Sequence, residues 1–177
     1  MRVKVVFLFC AAILAVASPG LAAERYVKAS VDAAGALRIL TSDGRTIVPP
    51  KEPEQVGFDN VAISPDGSAV GWVALFPNCC TSYPIPLKLL IYSNGKARAF
   101  TGTGLPVWQW RFTGGGKQVA FEQETVHGGL GVHYELRDIA SGRKAAEWNP
   151  TIGPDNQPLE NQKLPSWASG LDAKQVK

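Results

Sequence analysis

The stretch "AISPDGSAVGW", residues 62–72, aligns without gaps on "RFTGGGKQVAF", residues 111–121, at an offset of 49. A repeat with a period of 20–50 residues means that one supersecondary unit has been copied, which restricts the chain to stacked or arrayed architectures. In both copies a tight turn, Ser64-Pro65-Asp66-Gly67 or Thr113-Gly114-Gly115-Gly116, leads into an alternating apolar strand. Val70 and Trp72 of the first copy fall on Val119 and Phe121 of the second. Side chains two apart share a strand face, so these pairs are expected to point into a core.

The correspondence continues downstream. "LLIYSNGKARAF", 89–100, and "LRDIASGRKAAEW", 136–148, each end a strand in a glycine-containing turn followed by a basic residue. These are hairpin signals. The offset there has dropped to 47, so the second copy carries a loop two residues shorter. Each copy then reads as a four-strand antiparallel meander. The first predicts strands near 57–63, 68–76, 87–92 and 96–101; the second predicts strands near 106–112, 117–124, 131–138 and 143–148. A less complete copy precedes them in 26–49, where Asp32-Ala33-Ala34-Gly35 and Ser42-Asp43-Gly44-Arg45 divide the segment into three strands.

"ISPDGSAVGW" resembles the TolB-type, WD-like β-propeller repeat, in which a Ser-Pro-Asp-Gly turn joins two strands of a blade. The resemblance covers roughly residues 57–148, and Thr-Gly-Gly-Gly in the second copy departs from it. It implies four-stranded blades and a binding surface, and assigns no functional residue. Closed propellers generally have 4–8 blades. About three can be counted here, which leaves an all-β, propeller-like open arc, with a twisted β-sandwich as the alternative. Such an arc must protect its edges, either with its own tail or by self-association through an exposed sheet edge.

At the amino terminus Arg2 and Lys4 precede an apolar run, Val5 to Val16, followed by the small-residue stretch "ASPGLAA". That is the pattern of a secretory signal peptide, with cleavage expected after Ala23. The run is too short for a comfortable bilayer span of about 20 residues. Cys10 lies too early in the run for a lipoprotein signal, and it leaves with the leader. The expected organisation is a signal peptide at 1–23, a β domain at 24–150 and an extended, proline-containing tail at 151–177, in which a short helix near 166–174 is compatible with the pattern. Arg2 and Lys4 also leave, so the 18 basic side chains become 16 against 15 acidic ones. No basic cluster remains, which argues against nucleic acid as a partner. The expected location is periplasmic or secreted, with no stable membrane span after cleavage.

"FPNCCTSYPIP", 76–86, places Cys79 and Cys80 side by side in the loop between the second and third strands of the middle meander. The matching loop of the next meander is "TVHGGLGVH", 125–133, which carries the two histidines of the chain, His127 and His133. Equivalent loops leave equivalent ends, so Cys79, Cys80, Tyr83 and His127 are expected along one rim. Three states remain open for the thiols. They can bond to each other, a strained arrangement because neighbouring Cα atoms lie ~3.8 Å apart where ordinary disulfides hold ~4.4–6.8 Å. They can stay free or pair with another chain. Or, with His127, they can hold a soft metal such as copper or zinc. His133, alternating with Glu135 and Arg137, reads as part of a solvated strand face.

Other constellations carry less. Trp108, Trp110 and Phe112 read as one core-facing stripe, and Glu122 and Glu124 as a solvated face. There is no Gly-x-Ser-x-Gly elbow, and "TGTG" at 101–104 and "TGGGK" at 113–117 enter strands, not helices, so both read as turns and not phosphate cradles. No cofactor is implied. The sequence favours a non-enzymatic, exported binding module that recognises a protein or cell-envelope component. The alternative is a metal-handling or thiol-redox protein using Cys79, Cys80 and His127.

Overall fold

The computed structural model describes residues 24–127, 131–154, 159 and 162–171; the leader expected at 1–23 lies outside them. The first sheet contains β1 (Tyr26–Val31), β2 (Leu37–Thr41) and β3 (Thr46–Ile47). The second contains β4 (Gly57–Ile63), β5 (Val70–Phe76), β6 (Ile85–Ser93) and β7 (Lys96–Phe100). The third contains β8 (Val107–Thr113), β9 (Gln118–Gln123), β10 (His133–Asp138) and β11 (Lys144–Trp148). Every sheet is an antiparallel meander in which consecutive strands pair. The protein is all-β, and the strands fall within two residues of the boundaries that the repeat predicts.

The first sheet is a truncated copy of the other two. Its Ser42–Arg45 turn between β2 and β3 matches Ser93–Lys96 between β6 and β7, so β1 to β3 correspond to the last three strands of a full meander. Among the described residues no strand precedes β1 as β4 precedes β5.

The sheets stack face to face. On β5, Val70, Trp72, Ala74 and Phe76 join Tyr26, Leu37 and Ile39 of the first sheet in one core. Val73 and Ala69 point the other way, with Leu89, Ile91 and Phe100, against Val107, Trp110, Val119 and Phe121 of the third sheet. The middle sheet is therefore buried on both faces, whereas each sheet of a two-sheet sandwich buries one. This explains why "VGWVALF" reads as a continuous apolar run and not as an alternation.

The two inner interfaces meet at close range. A Cβ on Gly71 would stand 2.3 Å from Trp110 Cη2 and 2.7 Å from Ile91 Cδ1, so the absence of a side chain there is what admits the indole. Trp110 Nε1 then donates to the Asn60 carbonyl at 3.1 Å, from a bulge in β4 between Asp59 and Ala62. A second bulge, in β8 between Val107 and Gln109, breaks the expected aromatic stripe. Val107 and Trp110 face the core, and Phe112 packs edge-on to Trp110 at 5.1 Å between centroids. Trp108 leaves the stripe and donates to the Glu124 carbonyl. Glu122 corrects a further expectation: it is fully buried, because the face it occupies is covered.

That cover is the tail. Leu164, Trp167, Ala168 and Leu171 lie on Ala120, Tyr134 and Leu136, the outer face of the third sheet. Arg111 Nη2 pins the segment by donating to the Trp167 carbonyl at 3.2 Å. Residues 166–170 form turns, held by Ala168 and Ser169 N–H groups on the Pro165 carbonyl. They do not form the short helix that the spacing suggests; residues beyond 171 lie outside the described part. At the other end of the stack Lys28, Ser30, Arg38 and Thr46 are exposed on the outer face of the first sheet, with half-buried Leu40 among them.

Two substitutions separate the interfaces. Leu171→Ala, at 1 % exposure, is expected to lower unfolding free energy by about 2–4 kcal/mol. Gly71→Ala should cost about 1–3 kcal/mol or more, by overpacking. Urea denaturation of both variants checks the pair, and a Leu171→Ala value near zero would show that the tail does not cover the sheet.

Candidate functional site

The two copies of the repeat turn touch each other. A Cβ on Gly116, whose φ is +94°, would lie 2.7 Å from Asp66 Oδ1 and 3.2 Å from Ser64 Cβ. The Ser64-Pro65-Asp66-Gly67 turn is closed by Gly67 N–H on the Ser64 carbonyl and by Ser64 Oγ donating to Asp66 Oδ1 at 2.7 Å. The hydroxyl of Ser64 and the N–H and hydroxyl of Ser68 hold the Asp66 carboxyl below the usual carboxylate range. Strands β5 and β9 both start from these adjoining turns, so both run to the opposite end of the stack. The β5–β6 loop with Cys79, Cys80 and Tyr83, and the β9–β10 loop with His127, therefore leave the same end.

All four of these side chains are exposed, Tyr83 at 49 %. Local hydrogen bonds shape the first loop. Asn78 Nδ2 donates to Thr81 Oγ1 at 3.1 Å, Asn78 Oδ1 accepts from Cys80 N–H at 3.3 Å, and Thr81 Oγ1 donates to the Tyr83 carbonyl at 2.6 Å. Pro86, at a bulge opposite Leu75, lies beyond the reach of β7, whose pairing with β6 stops at Leu89 and Phe100. The connector between β7 and β8 is fixed at this end too. Buried Gln123 accepts from Thr103 N–H at 3.0 Å and donates to the Thr101 and Leu105 carbonyls at 3.0 and 2.5 Å. Its amide stands in for the strand partners that the connector lacks.

The Cys79 and Cys80 sulfurs are 2.9 Å apart as two free thiols, longer than the ~2.05 Å of a disulfide. The neighbouring Cys79 sulfur, with a smaller contribution from burial, raises the pKa of the Cys80 thiol. Cys80 is thus a poorer thiolate source than an isolated cysteine.

A polar cluster on β10 and β11 departs from the sequence expectation. His133, Glu135 and Arg137 do not form a solvated face: His133 is 8 % and Glu135 2 % exposed. The alternation on β10 is as expected, but this face turns toward the middle sheet. His133 Nδ1 lies 2.6 Å from Asn149 Oδ1, and its Nε2 faces Glu135 Oε1 at 3.0 Å. Arg137 Nε donates to the other oxygen, Glu135 Oε2, at 2.6 Å. Across the strand pair Glu135 is opposite Glu147, whose carboxylate Lys144 holds. The Lys144 ammonium beside it lowers the Glu147 pKa, with help from His133 and Arg137.

Among the described residues, His133, Glu135 and Glu147 are the group whose ligating atoms all lie within 4.8 Å of one another. The structure does not bring Cys79, Cys80 and His127 into such a group. Two clefts lie away from the loops that carry Cys79 and His127. One, of about 240 Å³, lies between the middle and third sheets at the turn end, lined by Ser68, Asn94, Lys117 and Asp138 among others. No described helix is long and apolar enough to cross a membrane.

No family model matches the chain. No curated protein matches it either. Among solved structures, Kuenenia stuttgartiensis hydrazine synthase is similar to it at 18% identity and a TM-score of 0.43, over 76% of this chain. The chain spans 38% of the length of that structure.

The thiol pair makes a clear expectation. With oxidised glutathione, Cys79 and Cys80 give up two protons and two electrons, form an intramolecular bond, and release two reduced glutathiones. In protein beginning at residue 24, which lacks Cys10, thiol titration should fall to zero with the mass of a monomer less two hydrogens. Stable glutathione adducts or covalent dimers would show that the pair does not close.

Proposed function

We propose that this chain is an exported, non-enzymatic binding module that recognises a protein or cell-envelope component through the loops at one end of its stacked meanders. The observation that carries this reading is the placement of exposed Cys79, Cys80, Tyr83 and His127 on loops that leave the same end of a doubly buried sheet scaffold. Rigid strands carrying exposed loops are the usual arrangement of recognition surfaces. The resemblance of "ISPDGSAVGW" to the TolB-type repeat supports the same view, since such blades serve as binding platforms. Tyr83 supplies an amphipathic aromatic contact. The adjacent thiols form a compact apolar knob beside it when bonded.

A second reading has its own support. Two sulfurs 2.9 Å apart and open to solvent form a ready dithiol, so a thiol-redox role is the alternative. A metal-handling role through the same thiols and His127 has less support, because these residues do not converge with their ligating atoms.

Site-specific photo-crosslinking distinguishes the readings in the native envelope. A crosslinker at position 83 or 127 is expected to give the same discrete adduct, which one at Lys28 on the outer face of the first sheet does not give. The Cys79→Ser/Cys80→Ser variant should still form that adduct, weakened about tenfold or less. Equal labelling from all three positions would overturn the rim as the recognition surface. An adduct lost completely with the thiols, and trapped as a mixed disulfide by Cys79→Ser or Cys80→Ser alone, would favour the redox role.

A further inference from the structure

The strands β10 and β11 carry a cluster that the recognition reading does not use. We propose that His133, Glu135 and Glu147 bind a first-row divalent cation of the zinc class.

Ligand type and spacing both suit a single ion. One imidazole and two carboxylates form a mixed nitrogen and oxygen set that suits zinc, cobalt or manganese. Bonds of about 2.0–2.2 Å to one ion put adjacent ligand atoms roughly 3.0–3.5 Å apart. His133 Nε2 and Glu135 Oε1 are 3.0 Å apart, and the third ligand, on Glu147, lies with them inside 4.8 Å. Cross-strand pairing produces this convergence. His133 and Glu135 are two apart on one face of β10, and Glu147 on β11 is directly opposite Glu135.

The orientation of each ligand is set from behind. With Asn149 Oδ1 accepting from His133 Nδ1–H at 2.6 Å, the ring's Nε2 is left to the carboxylates. A hydrogen-bonded distal nitrogen is the usual support of a metal-binding histidine. Arg137 takes Glu135 Oε2 and so directs Oε1 toward the histidine. Burial of His133 and Glu135 keeps both side chains in place. Glu147, with its side chain 48 % exposed, opens the cluster to solvent and gives an ion its path in. Three protein ligands leave at least one position for water or an external donor, as in open zinc sites.

Arg137 and Lys144 oppose the site by neutralising its carboxylates, and Lys144 shares Glu147 directly. This opposition gives the proposal a signature that a plain salt-bridge network lacks. Removing Lys144 should strengthen cation binding, whereas in a network with no ion it only breaks a pair.

The test uses chelator-stripped protein carrying Cys79→Ser and Cys80→Ser, so that sulfur ligands are excluded. Titration with Co²⁺ is expected to develop the visible absorption of a nitrogen- and oxygen-ligated site at one ion per chain, displaced by Zn²⁺. Glu147→Gln, an exposed change that leaves the core intact, should weaken binding at least tenfold. Lys144→Met should tighten it severalfold. Absence of a saturable visible band, or equal affinity in the parent and Glu147→Gln proteins, would overturn the site. The recognition reading stands or falls separately, since its crosslinks come from positions 83 and 127.

Discussion

The structure depends on one sheet being dry on both sides. Strand β5 sends Trp72 into one interface and Val73 into the other, while Gly71 leaves the space that Trp110 fills. Fully burying a large apolar side chain contributes about 1.5–3 kcal/mol. Both inner faces of the middle sheet gain in this way, so the three layers cooperate. The loops at the far end inherit their positions from that packing. Gln123, buried under the β7–β8 connector, extends the ordering from the core to the rim through three carbonyl and N–H contacts.

The third sheet is divided in character along its width. Where β8 and β9 face the middle sheet, the contact is apolar and tight. Farther out, on β10 and β11, the same face carries His133, Glu135, Arg137 and Glu147. Charges survive burial there because each has a partner, and an unpaired buried charge would be far more costly. The cluster sits at the margin of the interface, where Glu147 is still in contact with water.

Much of this architecture was legible in the sequence because its signals are local. A turn followed by alternation fixes a strand within a residue or two, and the repeat transfers that assignment to the second copy. The shared end of the Cys79 and His127 loops follows from the same register. What escaped depends on contacts between sheets. Alternation says that His133, Glu135 and Arg137 share a face but not which neighbour covers it. The bulge at Trp108 has no sequence marker stronger than the aromatic stripe it interrupts. Leu164, Trp167, Ala168 and Leu171 recur at helical spacing, yet Pro165 and a single set of turns place the same residues on a sheet.

An array of similar units can in principle lengthen at either end, and here the tail has closed off one of them. The carboxy-terminal segment occupies the apolar surface on which a further unit would dock. Repeat proteins need such termini to stay soluble. Growth at that end is thereby blocked, whereas a meander inserted between β7 and β8 would meet an apolar neighbour on each side. The span between the two ends could change in that way while the loops added by each new copy joined the same rim.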